Sequence, residues 1–297
     1  MSAPPAHRAS RARLWVARGA LLGPAVGWWL AFFAAPVVLL LAYSFFERGP
    51  FGGVVYAFTL DNYIRALDPL YTRVLLTSIR IALVATAIAL LIGYPAAYFI
   101  ATATSRWRAA LLVLVVLPFW TSFLIRTYAW IVLLNPAGLV NRLLQGTGVT
   151  EGPVSLLYNE FAVVLGLVYA YIPLMVLPIY ASLERLGAQT REAAGDLYAT
   201  PRATMWRVTV PLTLPGIIAG CIFVFVPSLG NFIVPDLLGG GRKVMVGNLI
   251  QQQFLTARDW PFGAVLAMSI VVLMVVVLAV QAAALRRGQR EGTRGGP

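Results

Sequence analysis

Six stretches of this 297-residue chain stay apolar long enough to cross about 30 Å of hydrocarbon, which takes roughly 20 helical residues. They cover residues 21–45, 75–100, 109–134, 160–183, 212–235 and 262–285. Their apolar positions are continuous rather than alternating, so the pattern predicts helices and not the strands of a membrane barrel. A helix also satisfies its backbone hydrogen bonds within one segment, as lipid requires. The expected fold is an all-α integral membrane protein with six transmembrane helices. One membrane domain at 21–285 is flanked by tails at 1–20 and 286–297.

The polar intervals between the spans carry further signals. In the 46–74 loop, FTLDNYIRAL offers Thr59, Asp61 or Asn62 as a helix start, which predicts a short interfacial helix. The 236–261 loop opens on three glycines and continues through MVGNLIQQQFLTARDWP, which predicts another. The interval at 184–211 is a long polar stretch between the fourth and fifth spans. Its REAAGDLY segment suits a short helix with carboxylates near its beginning. Thr200 then offers a cap and Pro201 a first helical position, so a second helix is expected through Met205 and Trp206 towards Pro211. Two short helices joined by a tight turn form a compact knob.

Composition agrees with a lipid-solvated chain: 60% of residues are hydrophobic, 11% are charged, and mean hydropathy is +0.80. The formal charge of +12 is distributed unevenly. With both termini on one side, fourteen arginines and four carboxylates fall there, for a net +10. The opposite side balances seven cations against seven carboxylates, and Arg80 and Arg126 lie within spans. By the positive-inside rule both termini are cytoplasmic, and the basic face meets anionic lipid. No basic patch is interleaved with exposed aromatics, which disfavours nucleic acid as a partner.

Several residues inside the spans carry further signals. Pro173 and Pro178 are expected to interrupt the fourth span, and Pro215 and Pro227 the fifth. Breaks of this kind persist in lipid where neighbouring helices or a water-filled cavity satisfy the freed carbonyls, so a pathway is expected near these two spans. Gly216 and Gly220 would let another helix approach closely. Arginine at mid-bilayer costs about 2.5–3.5 kcal/mol. Arg80 is shallow enough to snorkel to headgroups. For Arg126, packing at a helix interface and lining the pathway stand as alternatives. Candidate path residues are the aromatics Tyr128, Trp130, Tyr169 and Tyr171, the amide Asn231 in the SLGNF break, and Asp236 at the outer end of the fifth span.

The E-A-A of Glu192, Ala193 and Ala194, with Val208, Val210 and Pro211 at their spacing, resembles the EAA loop of bacterial ABC importer permeases. The likeness covers nearly the whole chain and is closest to the polyamine (spermidine/putrescine) type, through LDNY at 60–63, LPFWTSFLIRTYAW at 117–130, VPDLLGGG, and RDWPFG. It implies a type I ABC importer permease-like bundle in the bacterial inner membrane. It also implies that Glu192, Ala193, Ala194, Asp196, Leu197, Tyr198, Pro201 and Pro211 form the coupling element seated on an ATPase. The implied partners are a second permease subunit, two copies of a cytosolic ABC ATPase and an extracytoplasmic binding protein. One departure stands out: the family usually has Gly where this chain has Tyr198.

Chemistry in the chain itself is sparse. Cys221 and His7 are single residues of their kinds, which excludes an internal disulfide and a zinc site of the usual composition. There is no G-x-x-x-x-G-K-[ST] loop, and Lys243 is the only lysine. No cofactor is expected in this chain; ATP and Mg would be bound by the partner ATPase. A secondary transporter, a permease for another solute such as ferric iron, thiamine, sulfate or a phosphonate, and an intramembrane enzyme are the rival classes.

Overall fold

A computed structural model of the chain describes residues 23–187, 189–241 and 243–294. The tail expected at 1–20 lies outside the described residues, as do Arg242 and the side chains beyond Ala282. The backbone forms two compact units. One ends at Ala66 and resumes over Gln253–Ser269; the other covers Leu67–Gln252 and continues from Ile270.

The first unit begins with α1 (Gly23–Tyr43), an exposed apolar helix with a π-helical stretch at Leu30–Ala34. A hairpin follows, β1 (Phe46–Arg48) pairing antiparallel with β2 (Val54–Phe58). Neither strand was expected from an all-helical pattern. The turn runs through Gly52 and Gly53 at φ +89° and +84°, a backbone that only glycine adopts cheaply. Helix α2 (Asp61–Ala66) stands where the interfacial helix was expected, and the Thr59 hydroxyl accepts the Asp61 N–H at 3.1 Å.

The second unit is built on α3 (Pro69–Thr102), which Asp68 caps by accepting the Leu70 N–H at 2.8 Å. Small residues recur at every fourth position, Ala85, Ala89, Gly93, Ala97 and Ala101, and all are buried. That stripe lets α7 (Glu160–Leu186) lie close against α3. Helix α7 is continuous for 27 residues. Pro173 and Pro178 therefore do not interrupt it: each removes one backbone donor, and packing on two sides holds the helix together.

The third predicted span is divided. Helix α4 (Ser105–Val116) passes through a 3₁₀ turn at Leu117–Trp120, and α5 (Phe123–Leu134) restarts after extended backbone at Thr121 and Ser122. The uninterrupted apolar run concealed that break. After a turn at 135–138, α6 (Leu139–Gly146) continues, and the helical segment long and apolar enough to cross is Phe123–Gly146 rather than 109–134.

Beyond α7 come α8 (Gln189–Asp196) and α9 (Pro201–Leu212), which bends by 65° into α10 (Leu214–Gly230). Pro215 opens α10 instead of breaking it, and Pro227 lies within it. Two short helices, α11 (Ile233–Gly239) and α12 (Val246–Leu255), precede α13 (Trp260–Arg294). Helix α12 fulfils the expectation for the 236–261 loop. Against α7, a Cβ at Gly220 would lie 2.9 Å from Met175 Sδ, and one at Gly216 2.6 Å from the Pro178 carbonyl. The close approach needs glycine at both points.

Among the described residues five helices have the length and apolarity of a span, or six when α9 and α10 count as one bent span. Many large side chains face outward along them, Leu83, Leu91, Phe99 and Val275 among them. Such a surface suits lipid as its solvent.

Candidate functional site

Two regions of the second unit collect the residues singled out above. The first is the knob formed by α8 and α9. Helix α8 ends in a Schellman turn, in which the Ala199 N–H donates to the Ala194 carbonyl at 3.1 Å. Tyr198 occupies the left-handed position of that turn, at φ +56°. This conformation costs a non-glycine residue roughly 1–2 kcal/mol. It explains physically why glycine suits the position and makes Tyr198 a strained substitute. The side chains are bare: Tyr198 is 97% exposed, Leu197 83% and Trp206 66%.

Thr200 caps α9 as expected, its hydroxyl accepting the Ala203 N–H at 3.3 Å, with Pro201 at the first helical position. Helix α9 is π-helical at Met205–Thr209 before reaching Pro211, which is exposed. Glu192, Ala193 and Asp196 are exposed and Ala194 is partly so, with Asp196 at the end of α8 and not near its beginning. An open cleft of about 450 Å³ lies between the arms, lined by Ala194, Leu197, Tyr198, Ala203 and Arg207 among others.

Both roots of the knob are pinned to the bundle. At the first, Glu184 near the end of α7 accepts a hydrogen bond from Tyr180 Oη at 2.9 Å and pairs with Arg108 Nη1 at 3.6 Å. Arg108 also donates to the Ala101 carbonyl at 3.1 Å, tying α4 to the end of α3. At the second, Thr213 fills the bend between α9 and α10; its buried hydroxyl donates to the Thr209 carbonyl at 2.8 Å and lies 3.3 Å from Tyr94 Oη on α3. These contacts tie the two roots of the knob to α3, α4, α7 and α10.

The second region is the SLGNF break between α10 and α11. Asn231 is buried and uses both ends of its amide: Oδ1 accepts the Val234 N–H at 2.9 Å, and Nδ2 donates to Tyr171 Oη at 2.7 Å. Asn248 completes the closure, donating to the Phe232 carbonyl at 2.8 Å and accepting the Met245 N–H at 3.2 Å. Side chains of neighbouring helices thus satisfy the freed backbone here.

Of the aromatic candidates, Tyr171 packs against Phe123 with ring centroids 6.5 Å apart, and Trp130 meets Tyr169 edge-on at 5.4 Å. Tyr128 is exposed and Asp236 stands exposed on α11; neither joins these groups. Arg126 lies between the two alternatives left open for it. Its guanidinium carbon is 5.5 Å from the Phe119 ring centroid and 5.7 Å from that of Phe123. Its Nε and Nη1 are shielded and have no hydrogen-bond partner among the described residues. Cation–π attraction of about 0.5–2 kcal/mol is weaker than the hydrogen bonds those atoms forgo.

Arg80, exposed in the N-terminal half of α3, donates to Glu160 Oε2 at 2.7 Å, and Lys243 approaches the same oxygen at 3.9 Å. The motifs LDNY and RDWPFG belong to the first unit, where their role is structural. Asn62 donates to the Phe46 carbonyl at 2.8 Å, and Tyr63 Oη lies 2.6 Å from Ser44 Oγ. Asp259, fully buried, accepts from Arg65 at 2.7 Å and from the Phe262 N–H at 3.2 Å. Sequence separations near 200 residues hid this pair; the only local signal was Asp259 before Trp260-Pro261, a cap position.

Comparison with known proteins places this geometry. Residues 31–290 match the family described as binding-protein-dependent transport system inner membrane component. The chain is 44% identical over 255 residues to the spermidine/putrescine transport system permease protein PotB of Escherichia coli (strain K12), covering 86% of this chain and 93% of that protein. The PotB protein of Haemophilus influenzae is also 44% identical, with 85% and 88% covered. A crystal structure of a bacterial alginate ABC transporter, in complex with alginate pentasaccharide-bound periplasmic protein, contains a chain of the same fold. It superposes with a TM-score of 0.71 at 19% identity, covering 95% of this chain and 98% of that one. With its apolar helices and this match over most of its length, the chain is a multi-pass inner membrane protein and belongs to the family of binding-protein-dependent transport system inner membrane components.

Proposed function

We propose that this chain is the permease subunit of an ATP-driven importer that carries a polyamine of the spermidine/putrescine class across the inner membrane. The 44% identity to PotB over 86% of the chain supports the cargo class. Import of a polycation is electrically downhill, since an inside-negative potential favours each charge by about 2.3 kcal/mol per 100 mV. In this reading both termini face the cytosol, and a second permease subunit completes the membrane path. Two ATPase copies bind ATP and Mg, and an extracytoplasmic protein delivers cargo.

The observation that carries the mechanism is the knob: bare Leu197, Tyr198 and Trp206 on a turn whose two roots are pinned to the bundle. Exposed apolar side chains on a rigid protrusion fit insertion into a groove of another protein. Closure of the ATPase dimer would press on Glu192, Ala194 and their neighbours. Rigid-body rocking of the two permease halves then alternates access to the path. Arg108–Glu184 and Thr213–Tyr94 transmit the displacement within this chain.

Co-purification with the neighbouring subunits, followed by ATP hydrolysis assays in proteoliposomes, tests the reading. Spermidine or putrescine, with the binding protein, is expected to stimulate hydrolysis and enter the liposome. Stimulation by another solute instead would overturn the cargo class, and uptake by the permease without an ATPase would overturn the motor.

A further inference from the structure

Arg126 is a cation held mainly by aromatic rings. Phe119 and Phe123 flank its guanidinium at 5.5 and 5.7 Å, Phe123 packs on Tyr171 at 6.5 Å, and Tyr171 is fixed in place by the Asn231 amide at 2.7 Å. Nε and Nη1 are shielded yet donate to no polar partner among the described residues, so no hydrogen bond from those atoms anchors the group there. A ring-lined position where a cation is weakly held and desolvated is also one that an alkylammonium would occupy, since a ring quadrupole attracts either charge. Extended methylenes of the same molecule would match the apolar flank better than the branched guanidinium does.

Resting on the polyamine reading above, the geometry points to a cation subsite formed by the Phe119 and Phe123 rings, with Tyr171 packed behind Phe123 and Arg126 as its built-in occupant until an ammonium of the cargo displaces it. Arg126 is thus a specificity-determining residue. A resident charge repels a lone inorganic cation or proton, whereas a polyamine brings several charges and a chain long enough to engage the rings as the arginine swings away. Phe119 on the 3₁₀ segment and Phe123 on α5 lie on either side of the break at Thr121–Ser122, and both approach the one guanidinium.

The test uses the assembled complex in detergent without binding protein, and equilibrium binding of radiolabelled spermidine. Arg126→Met is expected to bind at least about tenfold more tightly than wild type, because the competing cation is gone. Adding Phe123→Leu to that variant is expected to return binding to the wild-type level. Co-purification of the second permease subunit and the thermal midpoint are read alongside. Spermidine transport by wild type with no tightening in Arg126→Met overturns the subsite and leaves the polyamine reading standing. Loss of the second permease subunit from Arg126→Met overturns it as well, assigning Arg126 to a subunit contact. Failure of wild type to transport any polyamine overturns the reading on which the subsite rests.

Discussion

Around Asp259 the chain matches polar groups at close range, whereas around Tyr198 it leaves apolar side chains bare and holds its backbone in a strained turn. The first assembly joins α2 and the hairpin to residues 257–259 through Arg65–Asp259 and two hydrogen bonds of the hairpin, Arg48 to the Ala257 carbonyl at 2.8 Å and the Gly53 N–H to the Arg258 carbonyl at 2.9 Å. Its partners are already present in the chain. The knob has firm roots and a tip of exposed apolar side chains, the kind of surface the proposed docking would cover. Both regions carry motifs of the same family, so motif identity alone does not separate scaffold from contact surface. Satisfaction of the side chains does.

If that contrast holds, the two regions fail differently when altered. Glu192→Arg should have the largest effect: uptake falls to background and the ATPase no longer co-purifies, while membrane insertion and thermal midpoint stay within error of wild type. Normal uptake by this variant would erase the distinction. Arg65→Ala should do the reverse, leaving Asp259 buried without its charge partner. Asp259 is fully buried but the Arg65 side chain is 41% exposed, so the loss is about 2–3 kcal/mol, or roughly 5–10 °C in midpoint for a chain of this size. The ATPase should still bind whatever protein remains folded. A midpoint unchanged in detergent would show that the platform is not held by this pair.

Smaller changes sharpen the comparison. Asn231→Ala frees the Val234 N–H and the Tyr171 hydroxyl, which should lower stability by about 1–3 kcal/mol and reduce transport more than ATPase binding. Equal loss of both would place Asn231 outside the path. Tyr198→Gly should have the smallest structural effect, relieving the left-handed strain by about 1 kcal/mol, seen as slower hydrogen exchange of the Ala199 amide. Faster exchange would mean that the tyrosine itself holds the turn.

The sequence made some of this legible and concealed the rest for identifiable reasons. Thr200-Pro201 announced the start of α9, because a hydroxyl cap and a fixed φ act locally. Long apolar runs located α1, α3, α7 and α13 to within a few residues at most of their ends. The β1–β2 hairpin escaped notice because its strands are only three and five residues long. The break at Thr121–Ser122 was hidden inside an apolar run, where hydropathy carries no information about backbone dihedrals. Proline proved an unreliable marker of interruption: Pro173 and Pro178 sit inside an unbroken helix that its neighbours support. The small-residue stripe on α3 has a spacing of four, but hydropathy does not distinguish alanine from larger apolar residues and so does not reveal it. Arg126, Glu160 and Asp259 depend on contacts between distant segments, and no local pattern specifies those.

The account rests on the knob being the point where force enters this chain, and crosslinking tests that directly. In a Cys221→Ser background, a cysteine replacing Ala194 or Leu197 should form an adduct with the ATPase subunit in inverted membrane vesicles. Its yield should change when ATP binds, and a membrane-impermeant thiol reagent added to right-side-out vesicles should not label it. Labelling from the extracytoplasmic side, or an assembled and transporting complex whose knob cysteines never crosslink to the ATPase, would contradict it.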